Sequence, residues 1–167
     1  MSPLRPSSAH TMRRTHVNDD RTNRIDMSDG VGATLNTFYR AFAGEPDLLD
    51  QVVTADWQDI PLLPGQGTGP EGIKPMIRAF KQAIPDLSII IHDVIVDGDR
   101  VGVRGAMTGT HTGEWFSLAP TGRAFSVTLH EFHRIESGRI THTWHLEDWF
   151  GWLNQVGAWP LNKKDAS

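Results

Sequence analysis

The chain has 167 residues, 22% of them charged, with a formal net charge of −4 and no cysteine. That length supports one well-cored domain, and the missing thiol excludes disulfides, thiolate catalysis and cysteine-bound zinc. Beyond the N-terminal segment the basic residues are scattered, whereas a nucleic-acid partner wants a basic stripe. No apolar run nears the roughly 18 residues of a membrane span, and the start lacks the apolar core of a secretion signal. The expectation is a soluble cytoplasmic protein with neither nucleic acid nor membrane as partner.

Residues 1–27 are polar and almost free of aliphatics, so they cannot offset their ordering entropy and read as a disordered tail. Met27 competes with Met1 as the natural start. A single domain is expected over 28–160, with a second short tail over 161–167. Val31, Leu35, Phe38 and Phe42 form one stripe of an amphipathic helix that Gly44 ends. A second short helix fits Pro46 to Val53, and Trp57 to Pro61 reads as a short extended piece. Ile73, Met76, Ile77, Phe80 and Ile84 keep helical spacing up to Pro85, which assigns Pro75 to the first turn of that helix.

From Leu87 onward the chain reads as strands: Leu87 to Val96, a turn at Asp97-Gly98-Asp99, a run through Val101, Val103 and Met107, then Phe125 to Ile135 and Ile140 to Asp148. A loop carrying Trp115 and Phe116 interrupts them, and the aromatic C-terminus from Trp149 reads as a short helix. Helices first and consecutive antiparallel strands after them predict an α+β domain, a cone-shaped curved antiparallel sheet wrapped on about three helices.

The richest stretch is residues 130–148. With Ser137-Gly138 as a two-residue hairpin loop, His133 faces His142 and Glu131 faces Trp144. Strict alternation then puts Leu129, Glu131, His133, Ile135, Ile140, His142, Trp144, Leu146 and Asp148 on one face, and His130 and His145 on the other. Burying so many titratable groups unpaired is costly, so this face is expected to floor a ligand pocket. His111 and Glu114 are placed at its rim.

The segments GTGPEGIKPMIRAFKQAIPDL, THTGEWFSLAPTGR and FHRIESGRITHTWHLEDWFGWLNQVG resemble the SnoaL-like polyketide cyclase branch of the NTF2-like superfamily, over roughly residues 30–157. The resemblance implies the same cone, usually a homodimer through the sheet, and an intramolecular aldol closure that uses no metal and no cofactor. It also implies roles. Asp148, with His133 or His142, resembles the acid/base pair of the cyclases. Asp59 resembles the general base of ketosteroid isomerases, and Glu131 their oxyanion donor with Glu in place of Asp. The isomerase tyrosine has no aligned match, since Tyr39 sits two places off. Trp144, Tyr39, Phe38, Leu146, Trp57, Leu129 and Phe116 are the expected walls around a hydrophobic small-molecule substrate. Two other readings stay open: a metal set of His133, His142 and Glu131, and a non-catalytic binding or dimerisation module.

Overall fold

The computed structural model describes residues 26–27 and 30–159. The segments before and after, including the two expected tails, lie outside the described residues apart from Asp26 and Met27. Met27 is half-buried and packs on the core. Helix α1 spans Gly30–Phe42 and buries Leu35, Phe38 and Tyr39. Gly44, at φ 127°, turns the chain away from it. The second expected helix is shorter than the pattern suggests: a 3-10 turn at Pro46–Leu48 runs into α2, Leu49–Val52. Val53 already belongs to strand β1, Val53–Ile60.

Helix α3 spans Gly69–Ala83, with Pro70 rather than Pro75 in its first turn. Pro75 lies inside the helix, where it leaves the Glu71 carbonyl without its usual helical donor. The remaining strands are β2 Ser88–Asp97, β3 Arg100–Thr110, β4 Ala124–Glu136 and β5 Arg139–Glu147, followed by α4, Trp149–Gln155. They form one five-stranded sheet in the order β1-β5-β4-β3-β2. The α+β class expected from the sequence is borne out. The sheet is nevertheless mixed, because β1 joins its edge parallel to β5. Periodicity reports which side chains are buried, not the direction in which a short edge strand runs.

Strand β4 alternates cleanly: Phe125, Val127, Leu129, Glu131 and His133 are buried, and their neighbours from Ser126 to Phe132 face out. The hairpin turn is also as expected. Ser137 and Gly138 both take positive φ, at 49° and 78°, and Glu136 pairs with Arg139 and Ile135 with Ile140.

Past Ile140 the pairing departs from strict alternation. Arg134 pairs with His142, leaving Thr141 as an extra residue in the ladder. From there His133 faces Thr143, Glu131 faces His145 and Leu129 faces Glu147. This bulge moves the rest of β5 by one residue, and a one-residue shift exchanges the two faces. His142, Trp144 and Leu146 therefore lie on the outer face, where Leu146 is 71% exposed beside Phe132 at 64%. Because the ladder is in register on both sides of Thr141, deleting Thr141 should leave Thr143, His145 and Glu147 facing inward. Inter-strand NOEs between Glu131 and His145 in the deletion variant check this; their replacement by contacts between Glu131 and Trp144 would contradict it.

Candidate active site

Helices α1 and α3, the start of α4 and the inner face of the sheet surround a hollow with a cavity volume of about 80 Å³. Its walls are mostly apolar: Phe38 and Phe42 from α1, Ile73, Met76, Ile77 and Phe80 from α3, Ile89, Met107 and Leu129 from the sheet, and Trp115 and Trp149. Against them stand Tyr39, Asp59, Glu131, Thr143, His145 and Glu147. Such a mix suits a small-molecule site, in which a few fixed polar groups orient an apolar ligand.

The polar groups fall into two connected sets. In the first, the Trp57 Nε1–H donates to Thr143 Oγ1 at 3.0 Å, and that hydroxyl lies 3.1 Å from His133 Nδ1. His133 Nε2 is 3.0 Å from the Tyr39 hydroxyl, which donates to Glu131 Oε2 at 2.7 Å. One proton arrangement satisfies every member. Thr143 donates to Nδ1, the His133 Nε2–H donates to the Tyr39 oxygen, and the tyrosine proton goes to the carboxylate. Burial holds the Tyr39 pKa well above its ordinary value, and the charge and hydrogen bond of Glu131 add to this, so the hydroxyl keeps its proton.

The second set centres on His145. Its Nε2 lies 2.9 Å from the Pro61 carbonyl oxygen and 3.4 Å from Asp59 Oδ1, and its Nδ1 is 3.0 Å from Glu147 Oε1. A carbonyl and a carboxylate only accept, so both ring nitrogens carry protons and the ring is an imidazolium. Burial alone would lower the pKa of His145. The hydrogen bond and charge of Glu147, then the charges of Asp59 and Glu131, outweigh burial and raise it to about 9. Asp59 is 7% exposed, and its Oδ2 accepts from Gln66 Nε2 at 2.7 Å. Burial pushes its pKa above the usual carboxylate range, against the opposing pull of His145 and Gln66. The result is a base of raised proton affinity beside a charged acid, in a low-dielectric hollow.

The SnoaL-like polyketide cyclase profile matches residues 33–156. This chain belongs to that family. A curated relative, the aklanonic acid methyl ester cyclase AcmA of Streptomyces galilaeus, is 39% identical over 64 residues, which are 37% of this chain and 44% of that enzyme. The chain thus spans less than half the length of that relative. Among solved structures, TsrD of Streptomyces laurentii is 29% identical with a TM-score of 0.70, over 77% of this chain and 95% of that one. IdmH of Streptomyces antibioticus is 27% identical with a TM-score of 0.66, over 76% and 98%.

In this SnoaL-like chain the expected site residues separate. Asp59, Glu131, Tyr39, Phe38 and Leu129 line the hollow. His133 and Trp57 are buried just behind it and act on it through Thr143 and Tyr39. Asp148 does not line it: the carboxylate is exposed and caps α4, accepting from the Gly151 N–H at 2.7 Å. His142 and Trp144 stack on one another on the outer face, ring centroids 5.3 Å apart, with the Arg100 guanidinium 5.4 Å from the Trp144 ring. With His142 outside, the metal set of His133, His142 and Glu131 is not assembled. Among the described residues no group of three or more His, Asp or Glu is placed to hold a metal ion.

Leu146 and Phe116 are exposed, and neither forms a wall. His111 is fully buried against Trp152, and burial lowers its pKa; Glu114 is exposed. Neither of the two lines the hollow. Sequence reasoning missed Thr143, His145, Glu147, Gln66 and Trp115. The first three alternate as faithfully as the residues chosen instead, one position out of phase.

Two outcomes follow. Asp148→Ala should lose about 1 kcal/mol of stability through the lost cap while ligand affinity is unchanged; a calorimetric titration showing lost affinity would contradict its placement outside the site. The folded pKa of His145 lies above its ordinary 6.5. Its stabilising contribution is therefore complete below pH 6.5 and disappears as pH rises to about 9. His145→Gln should accordingly be less stable than the parent by roughly 3 kcal/mol near pH 6, with the gap closing by pH 9. Denaturant titrations across that range test it, and a gap independent of pH would contradict it.

Proposed function

We propose that this family member is a cofactor-free acid/base catalyst of enolisation and intramolecular aldol closure, acting on a small carbonyl or polyketide-like substrate in the apolar hollow. The observation that carries the reading is the pairing of Asp59 with the His145 imidazolium at 3.4 Å on an otherwise greasy wall. Asp59 removes a proton from the carbon beside a carbonyl, and that C–H electron pair becomes the enolate. The enolate carbon forms a C–C bond to a second carbonyl carbon, whose π pair moves onto its oxygen as an alkoxide. His145 gives that alkoxide a proton. The proton held on Asp59 then passes to His145 across the same short gap, so the site returns to its starting charge with no net uptake.

The environment suits each step. Burial raises the proton affinity of Asp59, and a base nearer neutrality serves a carbon acid better than an ordinary carboxylate. The imidazolium is the group that attracts negative charge developing on oxygen, and the apolar walls strengthen that attraction. Glu147 keeps His145 charged and oriented from the far side.

The test is deuterium exchange at C1 of 2-tetralone in D2O, followed by NMR. Native protein should accelerate exchange above the buffer rate, and Asp59→Asn should lower the enzymatic rate by about 10²–10⁴-fold. The rate should fall on the alkaline side near pH 9, as His145 loses its proton, and on the acid side as Asp59 gains one. A protein that binds 2-tetralone yet leaves exchange at the buffer rate is a binding module, and the proposal fails.

A further inference from the structure

The segment that follows β1, Pro61 to Gln66, touches both halves of the acid/base pair. The Pro61 carbonyl accepts from His145 Nε2 at 2.9 Å, and Gln66 Nε2 donates to Asp59 Oδ2 at 2.7 Å. Between them Leu63 forms part of the wall of the hollow. The sequence explains the shape of this segment. Leu63-Pro64-Gly65-Gln66 closes on a hydrogen bond from the Gln66 N–H to the Leu63 carbonyl at 2.9 Å, and Gly65 takes φ 82°. Proline in the second place and a positive-φ glycine in the third are what a type II turn asks for. Gln66 is the fourth residue of that turn, and it is only 9% exposed.

Both ends of the Gln66 amide are used. The Leu63 N–H donates to Oε1 at 3.0 Å. A backbone N–H can only donate, so it fixes the carbonyl end of the amide and leaves the NH2 end for Asp59. A glutamate at this position would set a second negative charge against the carboxylate at neutral pH. The consequence on Asp59 is an asymmetry between its two oxygens. Oδ2 is held by the amide, whereas Oδ1 has no hydrogen bond among the described residues. Its charged neighbour is His145 Nε2, 3.4 Å away, whose N–H is engaged by the Pro61 carbonyl. One oxygen of the base is an anchor, and the other keeps its lone pairs.

We propose that Gln66 is a positioning residue for the carbon-acid step: its amide anchors Asp59 through Oδ2, so that Oδ1 is the oxygen that takes the proton from carbon. Gln66 does not line the hollow, so it acts through Asp59 and not on the substrate. Without the anchor the carboxylate turns about its last bond, and either oxygen can swing into a direct hydrogen bond with His145 in place of the Pro61 carbonyl. The inference rests on Asp59 being the base, as proposed above. It adds that the turn after β1 decides which oxygen reacts.

The test is the 2-tetralone exchange assay on the full chain, with kcat and KM measured across pH for Gln66→Leu and Gln66→Glu. Gln66→Leu loses both amide contacts. Its kcat should fall about ten-fold, the worth of one hydrogen bond to a charged group, while KM stays within about two-fold. The acid limb of its profile should move to higher pH, because the Gln66 bond favours the charged form of Asp59. The other charges that act on Asp59, those of His145 and Glu147 on β5 and Glu131 on β4, are the same in every variant. Gln66→Glu keeps an acceptor for the Leu63 N–H, and its carboxyl must share a proton with Asp59. It should recover the rate in mildly acid solution, where the introduced carboxyl carries that proton, and lose it again at a pH below the parent's alkaline limb near 9.

A native kcat with a native acid limb in Gln66→Leu overturns the inference, as does a loss confined to KM. Where Gln66→Leu fails to fold, Gln66→Glu decides alone: the early alkaline fall supports the inference, and the parent's pH profile overturns it. Asp59→Asn separates this failure from that of the reading beneath it. If Asp59→Asn removes exchange and the Gln66 variants leave it untouched, only the positioning role is lost. If Asp59→Asn exchanges at the native rate, the base lies elsewhere and both are lost.

Discussion

His145 reaches the inner wall because Thr141 is left out of the pairing in the β4–β5 ladder, which turns the second half of β5 over relative to strict alternation from Ile140. That single geometric event brings the imidazole against the Pro61 carbonyl, beside Asp59 from the parallel edge strand and opposite Glu131 from β4. It also carries Glu147 inward, to the far nitrogen of the ring. Were Thr141 instead paired with Arg134, the hollow would receive His142 and Trp144, and its carboxylates would lack the cation that makes their burial tolerable.

Burying Asp59, Glu131 and Glu147 in one apolar enclosure is expensive unless each charge has a partner. The structure meets the requirement with two sets that divide the labour. The chain from Trp57 through Thr143, His133 and Tyr39 to Glu131 has donors running in one direction, and it fixes where each proton sits. The set around His145 does the opposite: it concentrates mobile charge, with a charged acid within reach of a base whose proton affinity burial raises. The rigid set positions, and the other is equipped to react. The apolar helices α1 and α3 lower the local dielectric, which enlarges both effects.

Most of the architecture was legible in the chain. The stripe from Val31 to Phe42, the alternation from Phe125 to His133 and the Ser137-Gly138 turn each read correctly, because each is set by local periodicity or by a glycine in a conformation other residues avoid. Half of the site was legible for the same reason, since Asp59, Glu131 and Tyr39 precede the bulge or lie outside it. The other half was not. A bulge leaves no local sign in the residues from Arg139 to Asp148, and every assignment after it fell on the wrong face: His142, Trp144 and Leu146 in place of Thr143, His145 and Glu147. Asp148 was misread differently. An aspartate before a helix caps it and one beside a pocket can catalyse; the two look alike until the Gly151 hydrogen bond is seen.

The most direct measurement is the protonation state of His145, read from the 15N shifts of both ring nitrogens in histidine-labelled protein between pH 6 and 10. The account predicts that both nitrogens stay protonated through neutral pH and titrate together near 9. A ring that is already neutral at pH 7, with one nitrogen bare, would show that the bulge does not place a charged acid beside Asp59, and the proposed chemistry would have no proton donor.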